Sequence, residues 1–192
     1  IDTLERRGEP GPEHEDVVRY VRQLNGRISL SFLKPNLQAA RDVIDSITDG
    51  RHYNCEIIQV DAGGVPAEWV LAPGADSSKR VLYIHGGGFV IGSPKSHRTI
   101  TSKFSEVTGC SVLAIDYRLM PEHKHTDCIN NCRTAYQWIL ENGPDGASDT
   151  RLLFFGGDSA GDHLFLCMLA WARDNRIRAP VAIVSLGPLT DN

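Results

Sequence analysis

Nowhere does this sequence carry an apolar run long enough for a membrane-spanning helix, so no membrane span is expected. Basic charge is scarce as well. Twenty Lys and Arg stand against 24 Asp and Glu, a net charge of -4, where a nucleic-acid partner would call for a basic face. Cysteine is limited to five residues, an odd number without the tight spacing of a disulfide framework. At least one thiol stays unpaired, which points to a reducing, cytoplasmic compartment rather than a secreted scaffold. Internal repeats and low-complexity segments are absent. What is present is the balance of one ordinary globular domain, or of part of a larger one: 192 residues, 41% hydrophobic and 23% charged.

The patterning changes once along the chain. Residues 13–28 place Val17, Val21, Leu24 and Ile28 at helical spacing behind an acidic start, which predicts an amphipathic helix. Residues 37–47, through Ala40 and Ile44, predict a second helix that Gly50 stops. Strand patterning then takes over, so residues 1–50 read as a separate helical segment and 51–192 as the core. Residues 55–60 are β-rich, Asp61-Ala62-Gly63-Gly64 is a turn, 69–71 is a return strand and 73–79 a polar loop. From Arg80 onward, apolar strands at 81–84, 111–115, 152–155 and 181–186 alternate with helices at 96–108, 127–141 and 160–173. Continuous apolar strands between helices predict an α/β fold, a mostly parallel sheet with helices on both faces.

Gly157-Asp158-Ser159-Ala160-Gly161 fits the pattern G-x-S-x-G between a predicted strand and a predicted helix. A serine there is held on a sharp turn with its hydroxyl projecting from the sheet, and bulk two residues to either side would clash. The bland alternative is a glycine-rich turn whose serine merely caps a helix. His85-Gly86-Gly87-Gly88-Phe89 follows the strand at 81–84. Three glycines let the backbone turn and present bare N–H groups, which suit the negative oxygen of a tetrahedral intermediate. A phosphate loop is the alternative, but neither G-x-G-x-x-G nor a Walker lysine accompanies it. One N–H from the residue after the serine, and others from the loop after an earlier strand, is the order a hydrolase sheet needs.

Together with Asp116-Tyr117-Arg118-Leu119-Met120-Pro121-Glu122-His123, these blocks resemble the hormone-sensitive-lipase-like carboxylesterases of the α/β-hydrolase superfamily, in order and spacing, over residues 60–192. The resemblance implies an α/β-hydrolase fold with an N-terminal helical cap segment at residues 1–50. It implies a serine carboxylesterase that needs no cofactor and acts on a small-molecule ester of short to medium acyl chain. Ser159 would be the nucleophile, and the backbone N–H groups of Gly87, Gly88 and Ala160 the oxyanion hole. His85 would order the glycine loop with Gly86, and Asp158 would shape the elbow with Gly157 and Gly161 rather than serve as triad acid. The sequence departs from the family at Asp162, where another glycine is usual, and at Lys124-His125-Thr126-Asp127, where Pro-aromatic-Pro is usual. The family's triad acid and histidine lie beyond the sixth sheet strand, where this sequence stops.

None of the seven histidines is nominated as the base. His163 follows Ser159 by four residues, so the helix carries it one turn away from the hydroxyl, to pack beside the oxyanion loop. His14, His52, His97, His123 and His125 read as solvated or structural. A zinc site at His123, His125, Cys128 and Cys132 is the other temptation. However, Cys128, Cys132, Ala135 and Ile139 share one helical face, where cysteine behaves as a small buried hydrophobe, and no metal is expected. The rival to the esterase is a non-catalytic small-ligand binder, or an inactive fragment lacking the triad acid and histidine; an amidase or deacetylase would share the same residues. The first residue, Ile1, and a last strand left as an apolar edge predict that the chain continues. At least two more strand–helix units would then follow, carrying an acid and, later, a histidine.

Overall fold

The structure, a computed structural model, describes residues 11–33 and 36–188. They fall into two compact units that divide between Ile44 and Asp45. The first holds α1 (Pro12–Leu33) and nearly all of α2 (Leu37–Asp45). Glu13 and Glu15 in the first turn of α1 suit the positive end of the helix dipole. This helix runs five residues further than its apolar spacing suggests, and Val17 and Val21 are exposed rather than buried. The Asn36 side chain caps α2 by accepting the Ala39 N–H at 3.1 Å. After Asp45 the chain tightens into a 3-10 turn, Ser46–Thr48, and Gly50 takes up φ +72°.

The second unit is built on a six-stranded sheet: β1 (Glu56–Asp61), β2 (Pro66–Leu71), β3 (Asp76–Ile84), β4 (Cys110–Ile115), β5 (Leu152–Asp158) and β6 (Ala182–Leu186). Their spatial order is β1-β2-β4-β3-β5-β6. β1 and β2 form an antiparallel hairpin, β2 pairs antiparallel with β4, and β3 to β6 are parallel. Three helices follow β3, β4 and β5 in turn: α3 (Arg98–Thr108), α4 (His125–Glu141) and α5 (Ala160–Asp174). A small ribbon, Asn142–Gly143 with Gly146–Ala147, joins α4 to β5. This is the α/β-hydrolase architecture, with an N-terminal helical segment preceding the sheet.

Strand alternation sorts the core into two faces. Leu82, Ile84, Leu113 and Phe155 pack on Cys128, Cys132 and Tyr136 of α4 and on Leu164 and Phe165 of α5. Val81, Tyr83, Val112 and Ala114 face the other way, against Ile100 and Phe104 of α3. Each large apolar side chain so buried contributes about 1.5–3 kcal/mol. Cys128 and Cys132 belong to this core as small apolar side chains. Among the described residues no helix is long and apolar enough to cross a membrane.

The polar stretch 73–79 is a loop only as far as Ala75. β3 already begins at Asp76, which pairs with Cys110, and the register shifts before Arg80 meets Ser111. Asp76 and Ser78 satisfy each other through side-chain bonds at this irregular end of the sheet, so polarity here marks a bulge within a strand. At the other edge, β6 pairs with β5 and all five of its residues are exposed, Ile183, Val184 and Leu186 among them.

The register places the site. Ile84 at the end of β3 is paired with Gly157 near the end of β5. The loops that leave these parallel neighbours therefore emerge side by side at the carboxyl edge of the sheet, where open α/β sheets bind their ligands.

Candidate active site

β5 ends at Asp158 and α5 begins at Ala160, which leaves Ser159 alone to turn the chain. Its backbone sits at φ +49°, ψ −114°, a conformation that side-chain-bearing residues seldom adopt. The turn holds only because its neighbours lack bulk. A Cβ on Gly157 would lie 2.9 Å from Asp162 Oδ1 and 3.0 Å from the Ile84 carbonyl oxygen. One on Gly161 would lie 2.0 Å from that same carbonyl oxygen. Ser159 is exposed and does not cap the helix through its side chain. Ala160 opens α5, so its N–H has no acceptor within the helix.

The loop after β3 is wound just as tightly. Gly87 sits at φ +114°, Gly88 at +61° and Phe89 at +65°. A Cβ on Gly87 would come within 2.1 Å of the Ile91 carbonyl oxygen. The Gly87 carbonyl accepts the Val90 and Ile91 N–H groups at 3.2 and 3.1 Å, closing the turn. Gly86 donates its own N–H to Asp158 Oδ1 at 3.0 Å, so that group is committed to holding the loop.

His85 is a buried pillar of this loop. Its Nδ1 lies 2.8 Å from the Gly86 carbonyl oxygen, which can only accept, so the proton sits on Nδ1. Its ring stacks on Tyr117 at 4.4 Å, and the Tyr117 hydroxyl donates to the His85 carbonyl at 2.9 Å. Nε2 is buried without a hydrogen-bond partner. Burial, then the nearby His97, pushes the His85 imidazole down to about 3. The neutral ring therefore tests the fold by pH. Below its ordinary value of 6.5 the unfolded chain takes up a proton that the folded chain refuses down to about 3. Stability should fall with pH across that window, by up to about 1.4 kcal/mol per pH unit from this group. Urea unfolding from pH 7 to 4 measures the slope, and His85→Asn should flatten it; an unchanged slope would refute the assignment.

Asp158 receives three groups on one oxygen. The Tyr83 hydroxyl donates to Oδ1 at 2.8 Å, Gly86 N–H at 3.0 Å, and His97 Nε2 lies 3.4 Å away. Burial raises this carboxyl, but the His97, Tyr83 and Gly86 contacts outweigh it and hold the group below its ordinary value. Burial and the Asp158 charge push the Tyr83 phenol far up, so it stays a donor. Asp162 is fully buried in the first turn of α5, where it accepts the Ser185 hydroxyl at 2.8 Å from β6; its Oδ1 has no partner. Burial raises the Asp162 carboxyl.

The histidines divide by place. His163 packs its ring on Phe89 of the glycine loop and on His125, at centroid distances of 5.7 and 5.4 Å, and its Nε2 lies 3.6 Å from Cys167 Sγ. It sits beside the glycine loop, one turn of α5 away from Ser159. His125 completes this ring cluster over Phe89 at 4.8 Å. His14 and His52 lie in α1 and in an exposed loop, and His123 is exposed. His97, which reads in the sequence as a solvated or structural loop histidine, is brought to Asp158. Among the described residues no side chain hydrogen-bonds the Ser159 hydroxyl, and no three His, Cys, Asp or Glu gather as a metal-binding set.

The fold that carries these two loops is shared with known proteins. Residues 81–192, more than half of the chain, match the profile of the alpha/beta hydrolase fold family. The chain belongs to that family. Within the α/β hydrolases it falls in the hormone-sensitive-lipase-like carboxylesterase branch. The crystal structure of an esterase from the bacterial hormone-sensitive lipase family superposes with a TM-score of 0.77 at 32% identity, over 96% of this chain and 60% of its own. An acetyl-hydrolase of Streptomyces hygroscopicus is 36% identical over 133 residues, 69% of this chain and 42% of that protein. The carboxylesterase/phospholipase LipF of Mycobacterium tuberculosis is 39% identical over 127 residues, 64% of this chain and 33% of that protein. The chain thus spans less than two thirds of the length of each of these α/β hydrolases.

Proposed function

We propose that the chain carries the nucleophile and oxyanion half of a serine carboxylesterase site. Ser159 attacks the carbonyl carbon of a small ester. The N–H groups of Gly87, Gly88 and Ala160 hold the oxyanion, and the ester C–O bond breaks so that the alcohol leaves with the proton that Ser159 gives up. Water then hydrolyses the acyl-Ser159 ester to the free acid and restores the serine. His85, Gly86, Gly157, Asp158 and Gly161 keep the two loops in register. The observation that carries this reading is the Ile84–Gly157 pairing, which brings the strained serine turn and the glycine loop to one edge of the sheet. The five cysteines, all free, support a reducing, cytoplasmic setting.

A second reading has an observation of its own. With no described side chain hydrogen-bonded to the Ser159 hydroxyl, these residues by themselves supply no general base. On that footing the 192-residue chain binds a small carbonyl compound in the oxyanion loop without turning it over, as a binder or as an inactive fragment of an esterase. Both readings use the same ligand chemistry. Intact-mass analysis after a fluorophosphonate, with p-nitrophenyl butyrate turnover measured in parallel, separates them. A Ser159 adduct with turnover supports the esterase, and no adduct with retained binding of the ester supports the binder. Gly87→Pro, which removes a backbone donor and cannot adopt φ +114°, should cut the rate of adduct formation at least about 100-fold. An unchanged rate would take Gly87 out of the oxyanion hole.

A further inference from the structure

We infer that His97 is a positioning residue for the oxyanion loop, acting through Asp158; the inference rests on the esterase reading of Ser159 and the glycine loop. Asp158 immediately precedes Ser159, and Gly86 immediately precedes Gly87. The bond from Gly86 N–H to Asp158 Oδ1 is therefore a direct tie between the nucleophile turn and the loop whose N–H groups face it. That tie is only as firm as the orientation of the carboxylate. Tyr83 fixes it from within β3, and His97 fixes it from a different element, the 3-10 turn Lys95–His97 that leads into α3.

The imidazole is itself held. Nδ1 lies 2.9 Å from Ser96 Oγ and 3.1 Å from the Ser93 carbonyl oxygen. Ser96 and Ser93 bond to each other through side chain and backbone, and Ser93 Oγ donates to Asp45. The Ser96 hydroxyl can give its hydrogen to Nδ1, which leaves the ring proton on Nε2 towards Asp158. With side chains 14% and 23% exposed, the pair is screened less than a surface pair. The His97 ring also lies 5.4 Å from His85, the pillar of the same loop. Among the described residues no hydrogen bond or ring contact joins His97 to Ser159, and the one polar group of the elbow that His97 meets is the Asp158 carboxylate.

Without His97, the carboxylate keeps Tyr83 but loses the second group that holds Oδ1 towards Gly86. The fit there is close, since a Cβ on Gly86 would lie 2.2 Å from Asp158 Oδ2, and a turned carboxylate displaces the loop. Gly87 and Gly88 would then lose their alignment with Ala160. Because the oxyanion contact is made in the transition state, the loss should appear in kcat rather than KM.

Two variants test this. His97→Phe keeps a ring without a donor, and His97→Gln places an amide N–H near the Nε2 position. The first readout needs no catalysis: amide hydrogen exchange of Gly86, followed by NMR on the chain. Exchange should rise about tenfold in His97→Phe and return towards wild type in His97→Gln, with Val112 in β4 unchanged in both. The second is the rate of Ser159 phosphonylation, or kcat where turnover is present, which should follow the same order with KM within about twofold. Unchanged Gly86 exchange in His97→Phe, no rescue by His97→Gln, or a parallel rise at Val112 would each overturn the inference. Failure of the wild-type chain to take up phosphonate would instead sink the esterase reading, and Gly86 exchange would still decide the role of His97.

Discussion

Ser159→Ala should abolish phosphonate labelling and lower any p-nitrophenyl butyrate turnover by roughly a millionfold, the order of loss when a triad nucleophile is removed. The fold should be untouched, because the Ser159 side chain makes no capping bond to α5. Ser159→Gly gives the prediction a second arm. The serine sits at φ +49°, ψ −114°, which costs a side-chain-bearing residue about 1–3 kcal/mol and glycine much less. Alanine retains that strain and glycine relieves it. Ser159→Gly should thus be as inert as Ser159→Ala yet more stable than either serine or alanine, by about 1 kcal/mol or more after the entropy that glycine gains in the unfolded chain. Labelling in Ser159→Ala would remove the serine from its role. A glycine variant no more stable than alanine would show that the turn is unstrained.

Backbone crowding explains why the serine turn and the glycine loop of the candidate site are legible in the sequence. Gly86, Gly87, Gly157 and Gly161 are glycines because backbone or carboxylate atoms stand 2.0 to 3.0 Å from where a Cβ would be. Such requirements leave a mark at a fixed spacing, and the strand-then-helix context supplies the rest. The fold is legible for a similar reason, since β3 to β6 are apolar runs between helices of ordinary length.

What escaped the sequence lacks a local mark. The strand character of residues 76–79 is hidden because a bulge at the end of the sheet suits polar side chains as well as a loop does. The length of α1 is hidden because apolar spacing predicts only the stretch it covers, and Val17 and Val21 are exposed even within it. His97 is hidden most completely. Its partner lies 61 positions away, and only the packing of α3 against Tyr83 brings the two together. Tyr83 was readable as a core residue of a strand, but its hydroxyl at the end of a buried ring implied a polar partner that periodicity does not identify.

Gly161→Ala should be strongly damaging, although it adds only one methyl group. In a helix, glycine to alanine is ordinarily favourable by about 1 kcal/mol. Gly26, in the middle of α1, shows the ordinary case: a Cβ there meets nothing within 4 Å, and Gly26→Ala should stabilise the chain by about 0.5–1 kcal/mol. At Gly161 the added Cβ would stand 2.0 Å from the Ile84 carbonyl oxygen, 2.7 Å from the Ile84 carbonyl carbon and 2.8 Å from the His85 carbonyl oxygen. These are backbone atoms of β3 and of the residue that opens the glycine loop, so no rotamer change makes room. Either the start of α5 moves off the sheet by about 1 Å, or the end of β3 bends away. Overpacking of this kind costs about 1–3 kcal/mol or more, which exceeds the helix gain and reverses the sign. Both escapes also separate Ala160 from Gly87 and Gly88, and a displacement of about 1 Å at a reacting centre costs on the order of 100-fold in rate. Gly161→Ala should therefore lower the urea midpoint and slow phosphonylation of Ser159 together, whereas Gly26→Ala raises the midpoint and leaves the rate alone. Equal effects of the two substitutions would mean that α5 does not stand against β3 at this distance, and the positioning of Ser159 over the glycine loop would have to be redrawn.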